Sequence, residues 1–203
     1  MLNQFYNLSC YEEFEIQCAL VGISKVDILK EFGYKINDYY FFVSNDGIFN
    51  WFDLSGNHVE DPGILKIIKA EYIPVSISKC SIPNSITHIT YDAFSFCELL
   101  TSITIPNNVI SIGAWVFSYC KSLSSITIPD SVISIGNSVF VGCNSLTSIT
   151  MPNSATEIGR YAFADCDSLK EVIFKGKTLD EVKQMTWYPF GIEDESIIKC
   201  KMN

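Results

Sequence analysis

Cysteine is the reactive residue type with the most regular spacing in this 203-residue chain. Four of the eight cysteines recur every 23 residues, at Cys97, Cys120, Cys143 and Cys166. If consecutive units stack at the spacing of β-strands, neighbouring sulfurs lie about 5 Å apart, which is too far for a disulfide. A zinc site needs ligands that converge on one point, and a row does not converge. We therefore predict a structural cysteine ladder of buried, reduced thiols.

The other side chains that often carry catalysis are scattered. The remaining cysteines, which show no Cys-x-x-Cys spacing, are Cys10, Cys18, Cys80 and Cys200. The two histidines, His58 and His88, lie in no recognised catalytic motif. The chain also contains no glycine-rich phosphate loop, Gly-x-Ser-x-Gly or His-Glu-x-x-His sequence. We expect no enzyme activity, no metal and no cofactor; the alternative is a small enzyme within residues 1–74, built on a cysteine–histidine pair.

The cysteines belong to a pattern in which several residue types share one period. The other unbroken columns are Pro83, Pro106, Pro129 and Pro152; Phe94, Phe117, Phe140 and Phe163; and Leu100, Leu123, Leu146 and Leu169. The unit reads Leu-x-x-Ile-x-Ile-Pro, then Val-x-x-Ile-Gly, then Ala or Val followed by Phe, then Cys. Self-similarity at this period predicts a solenoid, in which each repeat buries its apolar face against its neighbours.

Each unit contains the pattern of a half-buried strand. Ile126 and Ile128 alternate with Ser125 and Thr127, so the isoleucines share one face and the hydroxyls the other. Pro129 follows where the strand must end, because proline has no N–H to donate. We expect a return path after the proline, a tight or positive-φ bend at the recurring glycine, and an interior filled by the phenylalanine and cysteine columns.

This pattern resembles the BspA-like, or Treponema-type, leucine-rich repeats over residues 77–174. The Ile-x-Ile-Pro, Ile-Gly and Ala-Phe-x-x-Cys elements of that family all recur here. The resemblance implies an α/β, right-handed solenoid with one strand of each repeat on a concave sheet. The array would hold four 23-residue repeats plus a half repeat that begins at Ile77. Proteins of this kind are largely microbial surface or interaction proteins, so the resemblance implies partner binding without catalysis.

Residues 1–74 do not share the period, and we predict that they form a small, aromatic-rich α/β N-terminal domain. Fourteen of the 27 aromatic residues lie there. A helix should begin after Ser24 and end at Gly33. Two aromatic strands around an Asn-Asp-Gly turn, residues 39–43 and 48–52, predict a hairpin. Asp61-Pro62 should open another short helix.

The period also fails after Phe174, and we predict a C-terminal cap over residues 175–203, after repeats that span 75–174. Thr178 and Glu181 form a capping box that should start a helix. Large apolar residues follow at 187–191, and residues 197–200 should add a last strand. A solenoid must seal its apolar end, and this segment provides the side chains to do so.

The outward positions of the predicted sheet carry small hydroxyls. They form two files, Ser102, Ser125 and Ser148 beside Thr104, Thr127 and Thr150. Solubility without charge is the interpretation that we favour, and an ice-binding surface is the alternative.

Packing does not require several large apolar residues that we place on the outside of the coil. The partner-binding candidates are Phe96, Ile110, Trp115, Tyr119 and Ile133. The column of Trp115 otherwise holds Asp, Ser and Tyr, and that of Phe96 and Tyr119 otherwise holds Gly and Asp. Exposed aromatic clusters mark binding patches. The alternative is that the N-terminal domain folds back and covers them.

Charge and hydropathy limit the partners. The net charge of −9 disfavours nucleic acid and anionic membranes, both of which attract basic patches. No apolar stretch reaches the roughly 18 residues of a membrane span, and no signal peptide is visible, so we expect a cytoplasmic rather than a surface-exported or virion location. We predict a non-catalytic protein-binding scaffold whose partner is another protein or a second copy. The alternative within binding is a structural or host-interaction protein of a virus or microbe, attached through its N-terminal domain.

Overall fold

The computed structural model of the chain describes residues 14–16, 18–19 and 24–202. Its helices are α1 (Lys25–Phe32) and α2 (Leu179–Lys183), and residues 14–16 and 18–19 are also helical. Short 3₁₀ turns cover Ala70–Tyr72 and Glu195–Ile197. The strands are β1 (Tyr34–Ile36), β2 (Tyr39–Val43), β3 (Phe49–Asp53), β4 (His58–Val59), β5 (Ile67–Ile68), β6 (Lys79–Ser81), β7 (His88–Ile89), β8 (Ser102–Thr104), β9 (Ser111–Ile112), β10 (Ser134–Ile135), β11 (Ser148–Met151), β12 (Glu157–Ile158), β13 (Glu171–Lys175) and β14 (Ile198–Lys201).

Helix α1 has the ends that its flanking residues predict. The Ser24 hydroxyl accepts a hydrogen bond from the Asp27 N–H at 3.2 Å, and the Asp27 carboxylate lies in the positively polarised first turn. At the other end, the Gly33 N–H donates to the Leu29 carbonyl oxygen. The prediction of a helix between these two signals is confirmed.

Strands β1 to β4 form an antiparallel sheet in that order, and β2 and β3 are the predicted hairpin. One face of the sheet packs Tyr40 and Phe52 against the helical residues Phe14, Cys18, Ile28 and Leu29. The other face directs Phe41, Val43 and Trp51 into the core of the repeats. Successive aromatic side chains along each strand point to opposite faces of the sheet, so the two strands contribute to both cores.

The tip of this hairpin lies against the first turn of the solenoid. Gly47 has φ = +80°, and a Cβ there would lie 1.9 Å from the carbonyl oxygen of Lys79. The neighbouring Asn45 accepts hydrogen bonds from the Ser78 N–H at 3.3 Å and from the Ser76 hydroxyl at 2.7 Å. Only glycine allows so close an approach, so the turn sequence also serves to dock the hairpin.

Two ladders of short parallel strands run along the repeats. The first is a five-stranded sheet in the order β12-β10-β9-β7-β5. The second consists of β6 with β8, an isolated bridge between Thr127 and Thr150, and the sheet β11-β13-β14. The predicted Ile-x-Ile strands belong to the second ladder. The predicted return path supplies the first ladder and includes Ile67–Ile68, upstream of the unbroken period.

The recurring glycine allows the first ladder to pack tightly. The Gly136 N–H donates to the Ile112 carbonyl oxygen at 2.9 Å, and the Gly159 N–H donates to that of Ile135 at the same distance. A Cβ on Gly136 would lie 2.5 Å from the Ala114 nitrogen in the preceding repeat. The glycine is therefore required for close approach between repeats, and its φ is not positive.

The interior of the coil is a set of columns. The rings of Phe94, Phe117, Phe140 and Phe163 stack with centroid separations of 5.6, 5.5 and 5.7 Å. All four are at most 2% exposed, and the leucine column is buried as far as Leu146. Each repeat therefore contributes one ring and one leucine to a core that its neighbours complete.

The short helix predicted at Asp61-Pro62 is wrong. Asp61 Oδ1 accepts the Gly63 N–H at 2.8 Å, and Gly63 has φ = +68°, so the segment turns instead of starting a helix. The following isoleucines form β5, in which Ile68 is buried and Ile67 is exposed. Pairing with β7 therefore determines the conformation of Ile67 and Ile68.

The C-terminal elements form as expected. Thr178 and Glu181 make both hydrogen bonds of a capping box at the start of α2. Strand β14 pairs in parallel with β13, with Ile198 opposite Val172. The buried Phe190 ring lies 5.9 Å from that of Phe174. These contacts cover the end of the repeat core.

We predict that Gly136→Ala destabilises the fold by about 2–3 kcal/mol, because the new methyl group must displace the backbone of the preceding repeat. Urea-induced unfolding measures the change. Gly63→Ala is the control: its Cβ would meet nothing within 4 Å, so only the positive φ is unfavourable, at about 1 kcal/mol. Equal losses in the two variants would contradict the close-approach explanation.

Deletion of residues 175–203 is expected to cause aggregation or loss of cooperative unfolding. It removes the partner strand of β13 and the ring that packs on Phe174, and so exposes a strand edge and an apolar end. Light scattering and a thermal melt test this expectation. A truncated chain that stays monomeric and melts at the same temperature would show that the segment is not a cap.

Candidate functional site

The cysteine column lies inside the coil and is hydrogen bonded to its backbone. The thiols of Cys120, Cys143 and Cys166 donate to phenylalanine carbonyl oxygens of the preceding repeat at 3.1, 3.0 and 3.0 Å. Cys97, Cys120 and Cys143 are at most 1% exposed, and Cys166 is half-buried. The thiols therefore both fill space and connect consecutive repeats.

Burial also makes these thiols poor nucleophiles. Desolvation raises the pKa of Cys97 to about 12 and that of Cys166 to about 12, so hardly any thiolate exists at neutral pH. All seven cysteines that the structure describes are free, whereas Cys10 lies outside the described residues. Among the described residues, no group of three or more His, Cys, Asp or Glu could hold a metal ion.

The histidines occupy separate elements. His58 lies in β4, with its ring edge-on to Phe52 at 5.5 Å. His88 lies in β7, where its Nδ1 is 2.8 Å from the hydroxyl of Thr87. Each histidine therefore has a local contact of its own, His58 with Phe52 and His88 with Thr87.

The outer face of the second ladder carries the predicted hydroxyl files. Ser102, Ser125 and Ser148 are exposed, as are Thr104 and Thr127, while Thr150 is half-buried. This face is polar over these three repeats, and the half-buried Ile173 continues the threonine file in β13.

Two backbone positions in each repeat adopt the left-handed conformation. They form the columns Asp92, Trp115, Ser138 and Tyr161, and Phe96, Tyr119, Gly142 and Asp165, with φ between 53° and 70°. Such values suit Gly, Asn or Asp, and an ordinary side chain costs about 1–2 kcal/mol there. Aromatic residues in these columns are thus unfavourable for the backbone, as well as unnecessary for packing.

Phe96, which is exposed, stacks on Tyr119, which is half-buried. Their ring centroids are 5.0 Å apart with an angle of 12° between the planes, and Phe96 is 58% exposed. A Cβ on Gly142 would lie 2.6 Å from Cδ1 of Tyr119, so the tyrosine ring extends over the next repeat. Trp115, 37% exposed, belongs to the neighbouring left-handed column. The turns of consecutive repeats thus carry aromatic rings at the surface, of which Phe96 and Trp115 are exposed.

Ile110 and Ile133 lie in a different file. They precede β9 and β10, are 42% and 47% exposed, and are joined by the hydrogen bond from the Ile133 N–H to the Ile110 carbonyl oxygen. The structure thus pairs Phe96 with Tyr119 and Ile110 with Ile133, on separate segments of the repeat. The hairpin of the described N-terminal residues docks at the end of the coil, and Phe96, Ile110 and Ile133 are exposed.

Sequence reasoning missed three members of this surface. Tyr161 and Trp187 are 47% and 52% exposed, and the Arg160 guanidinium lies 4.5 and 5.6 Å from their ring centroids. Trp187 also has a positive φ, but it follows the last regular repeat, so the period gives no register for it. We name Phe96, Trp115, Tyr119, Tyr161 and Trp187 the aromatic edge.

We expect Cys143→Ser to destabilise the protein by about 1–3 kcal/mol. The hydroxyl can face the same carbonyl oxygen of Phe117, but its shorter bond leaves a gap and buries a more polar group. Chemical denaturation gives the magnitude, with the half-buried Cys200→Ser as the control. Rapid labelling of the native Cys143 thiol would contradict the structural role.

Comparisons with known proteins identify the repeat type. The model of the BspA type leucine rich repeat region matches residues 66–189 in six copies. A leucine rich repeat protein of T. pallidum is 30% identical with a TM-score of 0.53, over 66% of this chain and 61% of that one. A leucine-rich repeat protein from Bacteroides ovatus is 26% identical with a TM-score of 0.53, over 73% of this chain and 37% of that one. The pneumococcal vaccine antigen PcpA, at 14% identity and a TM-score of 0.50, shares the fold over 64% of this chain and 30% of that one.

The chain spans less than two thirds of each of these structures. No curated protein matches it. None of the helices in the described residues is long and apolar enough to cross a membrane.

Proposed function

Because the chain belongs to the BspA-type leucine-rich repeat family, we propose that it is a non-catalytic scaffold that binds another protein through its aromatic edge. The observation that supports this proposal is the placement of large exposed rings at left-handed turn positions. Neither backbone preference nor core packing favours an aromatic residue there. A binding partner provides the missing reason.

The chemistry of the aromatic edge suits protein recognition. Tryptophan, tyrosine and arginine are enriched among residues that dominate binding energy, and Arg160 lies between two of the rings. A ring covers a large apolar area and loses few rotamers on binding. Tyrosine and tryptophan also keep a polar group at the rim, so they remain compatible with water before the partner arrives.

The turns that carry these rings are held before binding. The Trp115 N–H donates to the Asn137 carbonyl oxygen at 2.9 Å, and the Tyr119 N–H donates to that of Val141 at 2.8 Å. A partner therefore does not have to order this backbone, which lowers the entropic cost of association. Ile110 and Ile133 provide a second apolar file, which we assign to the periphery of the same contact.

Charge favours a protein partner over nucleic acid. The chain carries 23 acidic and 14 basic side chains, and nucleic-acid binding depends on basic clusters. The ion pair nearest to the Phe96–Tyr119 stack in sequence joins Lys121 to Glu98 at 2.7 Å and leaves both groups exposed. Such a pair contributes little to stability and remains available at the rim of an interface. The partner is a second copy of the chain or a different protein.

We predict that Trp115→Ser weakens self-association or partner binding by about 2 kcal/mol, a typical loss at an interface centre. The repeat array should stay folded, because serine occupies the equivalent position at Ser138. Analytical ultracentrifugation measures self-association, and thermal unfolding measures the fold.

Leu99→Ser is the matched control, because Leu99 is 58% exposed but lies outside both files. It should leave association unchanged. Equal losses in both variants would indicate non-specific apolar contact. Unfolding of the Trp115 variant, with association intact in the folded fraction, would show that the indole is structural.

A further inference from the structure

Backbone hydrogen bonds join each turn of the solenoid to the next through three donors. In the repeat that contains Trp115, the N–H groups of Trp115, Phe117 and Tyr119 donate to carbonyl oxygens 22 residues onward, at 2.9, 2.9 and 2.8 Å. The preceding repeat uses Asp92, Phe94 and Phe96, and the following one uses Ser138, Phe140 and Gly142. Each of these three repeats thus offers three N–H groups to its C-terminal neighbour.

The last repeat completes only the central bond. The Phe163 N–H donates to the Phe190 carbonyl oxygen at 3.0 Å, so the cap replaces one acceptor of the missing neighbour. Within the described residues, the N–H groups of Tyr161 and Asp165 have no such acceptor. These two donors of the ladder therefore lack a backbone acceptor in the described part of the chain, although the cap approaches one of them: a Cβ on Gly191 would lie 3.0 Å from the Tyr161 Cα.

Both residues line a cleft of about 660 Å³ between the last repeat and the cap. Its apolar wall includes Phe163, Leu169 and Ile192. Four carboxylate residues also line it, and no lysine, arginine or histidine does; the four are Asp165, Asp167, Glu193 and Asp194. Hydrogen bonds from the Ser196 N–H and side chain lower the pKa of the Asp194 carboxyl group, which keeps it ionised.

We propose that this cleft binds an extended, basic segment of a partner protein, which continues the backbone ladder beyond the last repeat. The partner's carbonyl oxygens accept from the N–H groups of Tyr161 and Asp165. Its lysine or arginine side chains meet the carboxylates at the rim, and its apolar side chains lie against the wall. This mode is the counterpart, at a turn, of adding a strand to a sheet edge.

The combination of donors and carboxylates selects this occupant. A metal ion would leave the two N–H groups without an acceptor, and the carboxylates do not group into a metal site within the described residues. An acidic segment would satisfy the N–H groups but would be repelled by the rim. Only a chain that carries both backbone carbonyls and positive side chains satisfies both.

The test uses a fluorescent nine-residue peptide of alternating lysine and leucine, with its ends blocked, and the full chain. Asp165→Asn combined with Glu193→Gln should weaken binding about fivefold, as expected for the loss of exposed ion pairs. Asparagine tolerates the left-handed conformation at residue 165, so the variant should fold. Asp130→Asn combined with Glu157→Gln removes the same charge outside the cleft and should change the Kd less than twofold.

Hydrogen exchange measured by NMR examines the ladder directly. The amides of Tyr161 and Asp165 should exchange at least tenfold more slowly when the peptide is saturating, and a peptide of alternating glutamate and leucine should give no protection. Absence of binding by the basic peptide, unchanged exchange at the two amides, or equal weakening by both double variants would overturn the proposal.

Discussion

The hydrogen bonds between successive turns are the constraint on which the rest of the molecule depends. A donor such as the Phe117 N–H reaches the carbonyl oxygen of Val139, 22 positions onward, only if the chain between them traces one complete coil. The same closure places each phenylalanine ring about 5.5 Å from the next and each thiol against a carbonyl oxygen of the preceding repeat. An insertion of one residue would remove a ring, a thiol and three hydrogen bonds from register together. Columns of different chemistry therefore keep one period, because one backbone spacing serves them all.

The same constraint makes the two ends special. At the first coil the hairpin tip supplies Asn45 as an acceptor and, through Gly47, backbone close enough to exclude water. At the last coil β14 continues the second ladder, while Phe190 continues the turn ladder through a single bond. Both ends are covered by segments outside the unbroken 23-residue period, because a cap has to satisfy hydrogen bonds on one side only. The C-terminal covering leaves the acidic cleft beside the last repeat.

Features that depend on side-chain packing could be predicted from the sequence, and those that depend on backbone contacts could not. The residue types and the regular spacing of the phenylalanine, cysteine and Ile-x-Ile columns indicate buried positions. The first ladder was not predicted because its strands have only two residues each and so show no alternation of apolar and polar side chains. The recurring glycine was interpreted as a bend, whereas Gly136 is needed for close approach between repeats. The left-handed columns hold Asp, Trp, Ser and Tyr in one file, so residue type did not reveal them. The prediction of a helix at Asp61, which rested on the proline that follows it, was wrong. A turn held by the Asp61 side chain and the pairing of β5 with β7 determine this segment instead.

The side chains in the left-handed columns vary without a change in the backbone conformation. The next repeat accepts from the N–H groups of Asp92, Trp115 and Ser138 although their side chains differ, and Tyr161 keeps the same backbone conformation without that bond. The strain of a tryptophan at such a position is of order 1–2 kcal/mol, and a cooperative array of repeats can absorb it without losing the fold. Stability alone would therefore replace the exposed rings with Gly, Asn or Asp. Within the chain these rings contact one another and Arg160, and the proposed protein partner supplies the further contact that would favour retaining them.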